Sequence, residues 1–283
     1  MLGSIDHVTI AGSDLDDLSA AFDGVGLATE YGGPHSNGTT HMAVVGFGDG
    51  SYVELLSTRS GVETSSLWDA HVQNDGGPCA WCVAVDDVES VAATLRSRGV
   101  PVEGPTRLTR DRPDGVTVTW DLAFLGDGAP GSTLPFLIED VTPRERRVTP
   151  TGDLAATPLS GVERVVVGVP DLDAAVEEFR TAFDLPAPER GSVDAAPVDF
   201  AADLAWFPDA PVVLAQPDDG WLAERVAAFG AAPVAFLLGS DDVEATAERV
   251  PLTDATPSFA GASVRWIRPA ELGGVRYLGV SPV

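Results

Sequence analysis

Four times along the chain a short apolar run passes through an acidic turn into apolar residues spaced three and four apart. The copies read IDHVTIAGSDLDDLSAAF from Ile5, AWCVAVDDVESVAATL from Ala80, VERVVVGVPDLDAAVEEF from Val162 and VAFLLGSDDVEATAERV from Val234. That pattern predicts a strand running into an amphipathic helix. Leu15, Leu18 and Phe22 would form the buried stripe of the first helix, and Leu172, Val176 and Phe179 that of the third. An Asp stands just before each helix, where its carboxylate can accept from the first free N–H groups and meet the positive end of the helix dipole. After the helices come strand-like segments: THMAVVGF and SYVELLS, VTVTWDLAFL and TLPFLIED, VDFAADLAWF and APVVLAQP, SVRWIRP and VRYLGVSP. Each copy therefore predicts one helix with about four strands, an α+β unit of the form βαβββ. The stretch DVTPRERRVTPTGDLAATPLSG is rich in Pro, Thr, Gly and charge and reads as a connection. It divides the chain into a first pair of units over 1–145, a linker over 146–159 and a second pair over 160–283.

Charge changes the picture of the surroundings more than of the fold. The 43 acidic residues face only 17 basic ones, all of them Arg, for a formal net charge of −26. Self-repulsion of that size opposes compactness in dilute buffer and is screened in concentrated salt, so the composition points to a halophilic source. The acidic residues are spread through a chain that is 44% hydrophobic, which argues against a disordered acidic tail. No basic stripe exists to neutralise phosphates, so nucleic acid is not an expected partner. No run is long enough to span a membrane, and the N-terminus lacks the features of a secretory signal. A cytoplasmic protein, monomeric or homodimeric, is the expectation.

Cys79 and Cys82 are the two cysteines, spaced C-x-x-C. The pair runs into a Val/Ala-rich strand instead of a helix start, and no second pair completes a four-cysteine site. On a regular strand, positions three apart point to opposite faces. Both therefore read as buried structural residues.

Chemistry concentrates in the first quarter, which holds all four histidines, His7, His35, His41 and His71. In IDHVTIA the alternation sets Val8 and Ile10 against His7 and Thr9, and in YVELLS it sets Val53 and Leu55 against Tyr52 and Glu54. If the apolar faces pack on helices, His7 and Glu54 share the concave side of the sheet, and His41 is placed to join them. Two His and a carboxylate with open positions suit a divalent Fe, Mn, Zn or Ni ion, acting as a Lewis acid on vicinal oxygens beside a proton-carrying carboxylate. The competing reading is a metal-free pocket in which His7 and Glu54 hydrogen-bond each other. His35 lies in a turn-rich loop, GGPHSNG, and is a candidate binding residue unless it is merely solvated. Phe136 and Trp120, beside Ala80, Cys82 and Ala84, suggest the wall of a pocket for a partly apolar small molecule. His71 reads as structural or superficial. Arg164, the charged residue on the concave face of the third unit's first strand, suits an internal ion pair.

The four βαβββ units taken as two pairs resemble the vicinal oxygen chelate superfamily. Within it, Asp6-His7-Val8, Gly32-Gly33-Pro34-His35, Gly38-Thr39 and Gly50-Ser51-Tyr52-Val53-Glu54-Leu55 are similar to the opening of a glyoxalase-like family. Pro113-Asp114-Gly115, Thr119-Trp120 and Leu134-Pro135-Phe136-Leu137-Ile138 continue the likeness. The resemblance implies two cups of the glyoxalase and dihydroxybiphenyl dioxygenase kind, with a divalent metal held between the first and last strands of paired units. Superposing the copies departs from that pattern. His7 falls on Ala80, Arg164 and an apolar residue, while Glu54 falls on Phe136, Val213 and Leu278. What the resemblance implies is a lyase, isomerase or ring-cleaving oxygenase acting on a small oxygenated molecule through His7 and Glu54, with no nucleotide cofactor. The alternative is a non-catalytic protein that binds or sequesters a small molecule. Either way the ligand belongs in the first cup, and the second pair, lacking His, is the degenerate one.

Overall fold

A computed structural model describes residues 2–65, 67–274 and 277–283. The first half contributes β1 (Ile5–Ala11), α1 (Leu15–Gly24), β2 (Glu30–Pro34), β3 (Thr40–Gly46), β4 (Tyr52–Thr58), α2 (Asp69–Gln73), β5 (Gly77–Ala84), α3 (Val88–Ser97), β6 (Val102–Asp111), β7 (Thr117–Leu125) and β8 (Phe136–Asp140). The second half repeats the order with β9 (Leu159–Gly168), α4 (Leu172–Phe183), β10 (Glu189–Ala195), β11 (Phe200–Trp206), β12 (Val212–Gln216), α5 (Gly220–Phe229), β13 (Ala232–Ser240), α6 (Val243–Ala247), β14 (Leu252–Phe259), β15 (Ala262–Ile267) and β16 (Tyr277–Pro282).

The strands form two eight-stranded sheets of identical topology, β2-β3-β4-β1-β5-β8-β7-β6 and β10-β11-β12-β9-β13-β16-β15-β14. In each, the two units meet antiparallel along their first strands, β1 with β5 and β9 with β13. Each first strand also pairs in parallel with the last strand of its own unit. This is the α+β arrangement of two cups that the repeat predicts. The Asp before each helix caps it: Asp14 accepts from the amides of Asp16 and Asp17, Asp87 from Ser90, Asp171 from Ala174 and Asp242 from Ala245. The fourth helix is shorter than its spacing suggests, ending after Ala247. The helices α2 and α5, which join paired units, went unread in the sequence.

The convex faces of both sheets and the helices α1, α3 and α4 share one apolar core. It includes Val8, Ile10, Val53 and Leu55 from one sheet, Val165, Val167, Phe236 and Leu238 from the other, and Phe22, Leu95 and Phe179 from the helices. The concave faces therefore look away from the core, and they differ. The second is filled by Phe200, Phe259 and Trp266, whose ring centroids lie 5.3 to 5.8 Å apart. Trp221 stacks on Tyr277 with centroids 4.1 Å apart. Among the described residues Arg164 makes no ion pair; it donates to the backbone carbonyl of Ala260 at 2.9 Å. No helix among the described residues is long and apolar enough to cross a membrane.

The halves are also joined by a buried cation. Arg225 of α5 donates to the carbonyls of Gly76 and Pro78 in the first half and of Pro233 in its own. Beside it His71 stacks on Phe229, centroids 4.2 Å apart, so His71 is a buried junction residue and not a superficial one. Its Nε2 has no hydrogen-bond partner among the described residues. Burial, with Arg225 adding to it, pushes its pKa from 6.5 down to about 4. The folded protein thus keeps His71 neutral while the unfolded chain protonates it, so this contribution to stability is present above pH 6.5 and is lost as pH falls toward 4. Across that window the wild type is expected to lose on the order of 3 kcal/mol that a His71→Gln variant does not lose. Urea unfolding at a series of pH values measures the difference, and parallel curves for the two proteins would contradict it.

Candidate functional site

The first cup encloses a cavity of about 450 Å³. Its walls carry Trp68, Leu108, Trp120, Leu122, Phe124 and Phe136, and its polar end carries His7, His35, Thr40, Glu54, Arg110 and Arg147. Strand parity places these groups. On the adjacent strands β4, β1, β5 and β8, Tyr52, His7, Cys82 and Phe136 stand in one register row, and Glu54 pairs with Thr9 one step along. Trp68 reaches the cavity from a left-handed backbone position at the start of α2, held by its indole N–H donating to the carbonyl of Pro130 at 2.9 Å.

The polar end is ordered by an ion cluster that the sequence does not announce. Asp6 is fully buried, and Arg147 grips both of its carboxylate oxygens at 2.9 and 2.7 Å. Arg144 reaches it at 2.6 Å. Arg147 also bonds Asp140 at 2.8 and 2.9 Å and donates to the Tyr52 hydroxyl at 2.9 Å. Burial alone would raise the Asp6 pKa, but Arg147 and His7 outweigh it and hold the carboxyl far below its usual range. Because Asp6 is then acceptor-only, the 2.6 Å contact to His7 puts a proton on Nδ1 of that ring and leaves Nε2 as its other polar atom. The imidazole is clamped flat against Tyr52, centroids 4.7 Å apart and planes 16° apart.

Glu54 finds its partner in His35, not in His7. His35 Nε2 lies 3.6 Å from Glu54 Oε1, while Nδ1 meets the Thr40 hydroxyl at 2.8 Å. Burial pushes the Glu54 pKa up, yet His35, His7 and Arg110 together pull it below the ordinary carboxylate value. His35 is thus turned inward and only partly exposed, in spite of its turn-rich loop. His41 is the site residue that the structure removes from the group. Thr40 and Met42 line the cavity, so His41 between them points the other way. There it lies 6.1 Å from the Tyr31 ring, and it feels Asp14 and Asp16 at the start of α1.

His7, His41 and Glu54 therefore do not converge. Among the described residues, the set of three ligand-type atoms lying within 4.8 Å of one another is Asp6, His7 and Cys82. That set is already committed. Both oxygens of Asp6 are held by guanidiniums and the Nδ1 of His7 is turned to Asp6, so two of the three ligand groups already have partners. Its chemistry fits a hydrogen-bonded ion cluster and does not fit a resident divalent ion. Cys79 and Cys82 are both buried and unpaired. They join one cluster instead of opposite faces, because a bulge between Thr9 and Ile10 inserts Cys79 into the ladder.

Missed by sequence reasoning were Arg110 and Arg147. Arg147 lies in the stretch read as a linker, and Arg110 sits on the edge strand β6; a buried position cannot be read from an isolated Arg. Arg110 donates across to the carbonyl of Gly32 on β2 at 2.8 Å, so the two edges of the curled sheet meet. A side chain at Gly32 would press on Met42 and on this guanidinium, which is why glycine fits there. An Arg147→Met variant is expected to lose about 3 kcal/mol at pH 7, the cost of leaving the buried Asp6 carboxylate with Arg144 as its one remaining guanidinium. Because the folded-state pKa of Asp6 is depressed, this deficit holds above pH 3.8 and shrinks as pH falls below it. Chemical unfolding at pH 7 and pH 3 reads the effect, and an equal deficit at both would contradict it.

Residues 5–183 match the family model described as a glyoxalase-like domain. No curated protein matches the chain in sequence. Among solved structures it is similar to a 4-hydroxymandelate synthase variant from Streptomyces coelicolor, with TM-score 0.69 and 13% identity over 99% of this chain and 92% of that one. It is also similar to a hypothetical protein from Staphylococcus aureus, with TM-score 0.65 and 17% identity over 99% of both chains. At such identities the likeness speaks to the fold alone.

Proposed function

The chain belongs to the glyoxalase-like domain family of the vicinal oxygen chelate superfamily, and on that footing we propose that its first cup binds one small molecule with an aromatic or apolar body and an oxygenated head. The observation that carries this reading is the cavity of about 450 Å³ whose aromatic walls, Trp68, Trp120, Phe124 and Phe136, end on the ionised carboxylate of Glu54. Pockets of this size and lining suit small ligands, with a few polar groups fixing orientation. Glu54, held below the usual carboxylate pKa, accepts a hydrogen bond from a hydroxyl or N–H more readily than it abstracts a proton. Recognition is therefore the role the geometry supports best.

Turnover of the bound molecule by a lyase, isomerase or oxygenase is the second reading, favoured by the gathering of Glu54, His7 and His35 around one cavity. In it Glu54 would move a proton, and any Fe, Mn, Zn or Ni would have to recruit these side chains from their present partners. Both readings are open to one set of experiments. Ligand-observed NMR with phenols, benzylic alcohols and catechols is expected to find binders whose affinity falls tenfold or more in Trp120→Ala and Phe136→Ala. Binding indifferent to both substitutions would sink the placement in the first cup. In the same samples, deuterium incorporation from D₂O and metal content separate recognition from reaction. Stoichiometric metal that is lost in Glu54→Gln would favour the reaction.

A further inference from the structure

Arg110 is the one cavity-lining cation that the protein leaves without a carboxylate, among the described residues. In a chain with 43 acidic residues that is a marked omission. Arg147, the other guanidinium at the cavity, is spent on Asp6 and Asp140. Arg110 is only 6% exposed, yet among the described residues it makes just two hydrogen bonds, both through one nitrogen: to the Gly32 carbonyl at 2.8 Å and to the Met42 sulfur at 3.3 Å. Its Nε is buried with no acceptor. A guanidinium does not shed its proton, so a buried one without a counter-charge costs several kcal/mol unless something else supplies the charge.

Resting on the reading of the first cup as a small-molecule site, we propose that Arg110 is the anion anchor of that site and that its ligand is a small carboxylic acid with an aromatic or apolar body. The planar fork of Arg matches a carboxylate through two parallel N–H donors. Leu108, two residues before Arg110 on β6 and paired with Trp120 on β7, also lines the cavity, which sets the apolar body beside the charged head. Glu54 lies beyond ion-pair distance of the guanidinium but contributes to its field. Its negative charge favours a monoanion over a dianion and leaves it free to take a hydroxyl or N–H carried by the same acid. The clasp to Gly32 uses only one nitrogen, so edge closure does not account for the rest of the side chain.

Calorimetric titration of the full chain at pH 7 with benzoate and phenylacetate, their neutral amides and phenyl phosphate tests the assignment. Wild type is expected to bind a carboxylate at least tenfold more tightly than its amide. Arg110→Gln should erase that preference, with Arg110→Lys retaining part of it, while circular dichroism confirms that each variant folds. Should Arg110→Gln not fold, Glu54→Gln decides instead: removing the competing negative charge should raise the ratio of carboxylate to amide affinity several-fold, and an unchanged ratio would overturn the anion anchor. Amides binding as tightly as the acids would overturn the anion anchor and leave the pocket reading standing. Phenyl phosphate binding more tightly than either acid would overturn the carboxylate class in favour of a phosphate ester. A preference that survives in folded Arg110→Gln would reduce Arg110 to a clasp. Binding of none of the probes, together with failure of the phenol and alcohol screen, would remove the pocket reading and this inference together.

Discussion

Everything at the working end of the first cup hangs on the buried contact between Asp6 and Arg147. The carboxylate sits on β1, the strand at the centre of the sheet; the arginine arrives from beyond the last strand of the first half. Once paired, they fix the tautomer of His7, pin the hydroxyl of Tyr52 and draw in Asp140, so four elements are located by one ion cluster. A buried ion pair repays its desolvation poorly as a source of stability. What it supplies is placement, with charges and tautomers set in advance at one end of an apolar cavity. The connecting segment is drawn in by the same means. Beyond Arg147, the Thr151 hydroxyl donates to the carbonyl of Ala28 and accepts from the amide of Gly46.

The two sheets show how one topology can give a hollow and a solid cup. Both have the same strand order and both turn their convex faces into the shared core. The difference lies in what the concave positions carry. In the second half, Phe200, Phe259, Trp266 and Tyr277 meet across the cup and fill it, as close packing of large rings demands. In the first half, Trp120, Phe124 and Phe136 stay at the walls and leave the space between them open. The space left between them ends on polar groups that cannot all satisfy one another, which is the condition for admitting a ligand.

Much of this was legible in the sequence because it rests on local periodicity. The repeat, the Asp caps, and the shared face of His7, Tyr52 and Glu54 follow from spacings of two and of three to four residues. His41 failed for a physical reason: after it β3 runs Met42-Ala43-Val44-Val45 with no polar residue between, so the alternation of apolar and polar positions that orients β1 and β4 is absent there. The cysteines are buried as expected, but their facing was misjudged because a single inserted residue reverses strand parity, and nothing in CAWCVAV marks the bulge. Arg110 and Arg147 were invisible for a different reason. Their burial depends on sheet closure and on a segment folding back over more than 130 residues of chain, contacts of a kind that no local pattern encodes. The partner of Glu54 was misjudged likewise, since the loop that carries His35 closes over the cavity only in three dimensions.

The central claim is that the first cup, and not the second, is the ligand site. Its most direct test uses the tryptophan indole N–H resonances, because Trp68 and Trp120 line the first cavity while Trp206, Trp221 and Trp266 belong to the filled cup. Titrating nitrogen-15-labelled protein with a bound aromatic ligand should shift the first two and leave the last three in place. Shifts confined to Trp206, Trp221 and Trp266 would place the ligand in the other half and contradict the account.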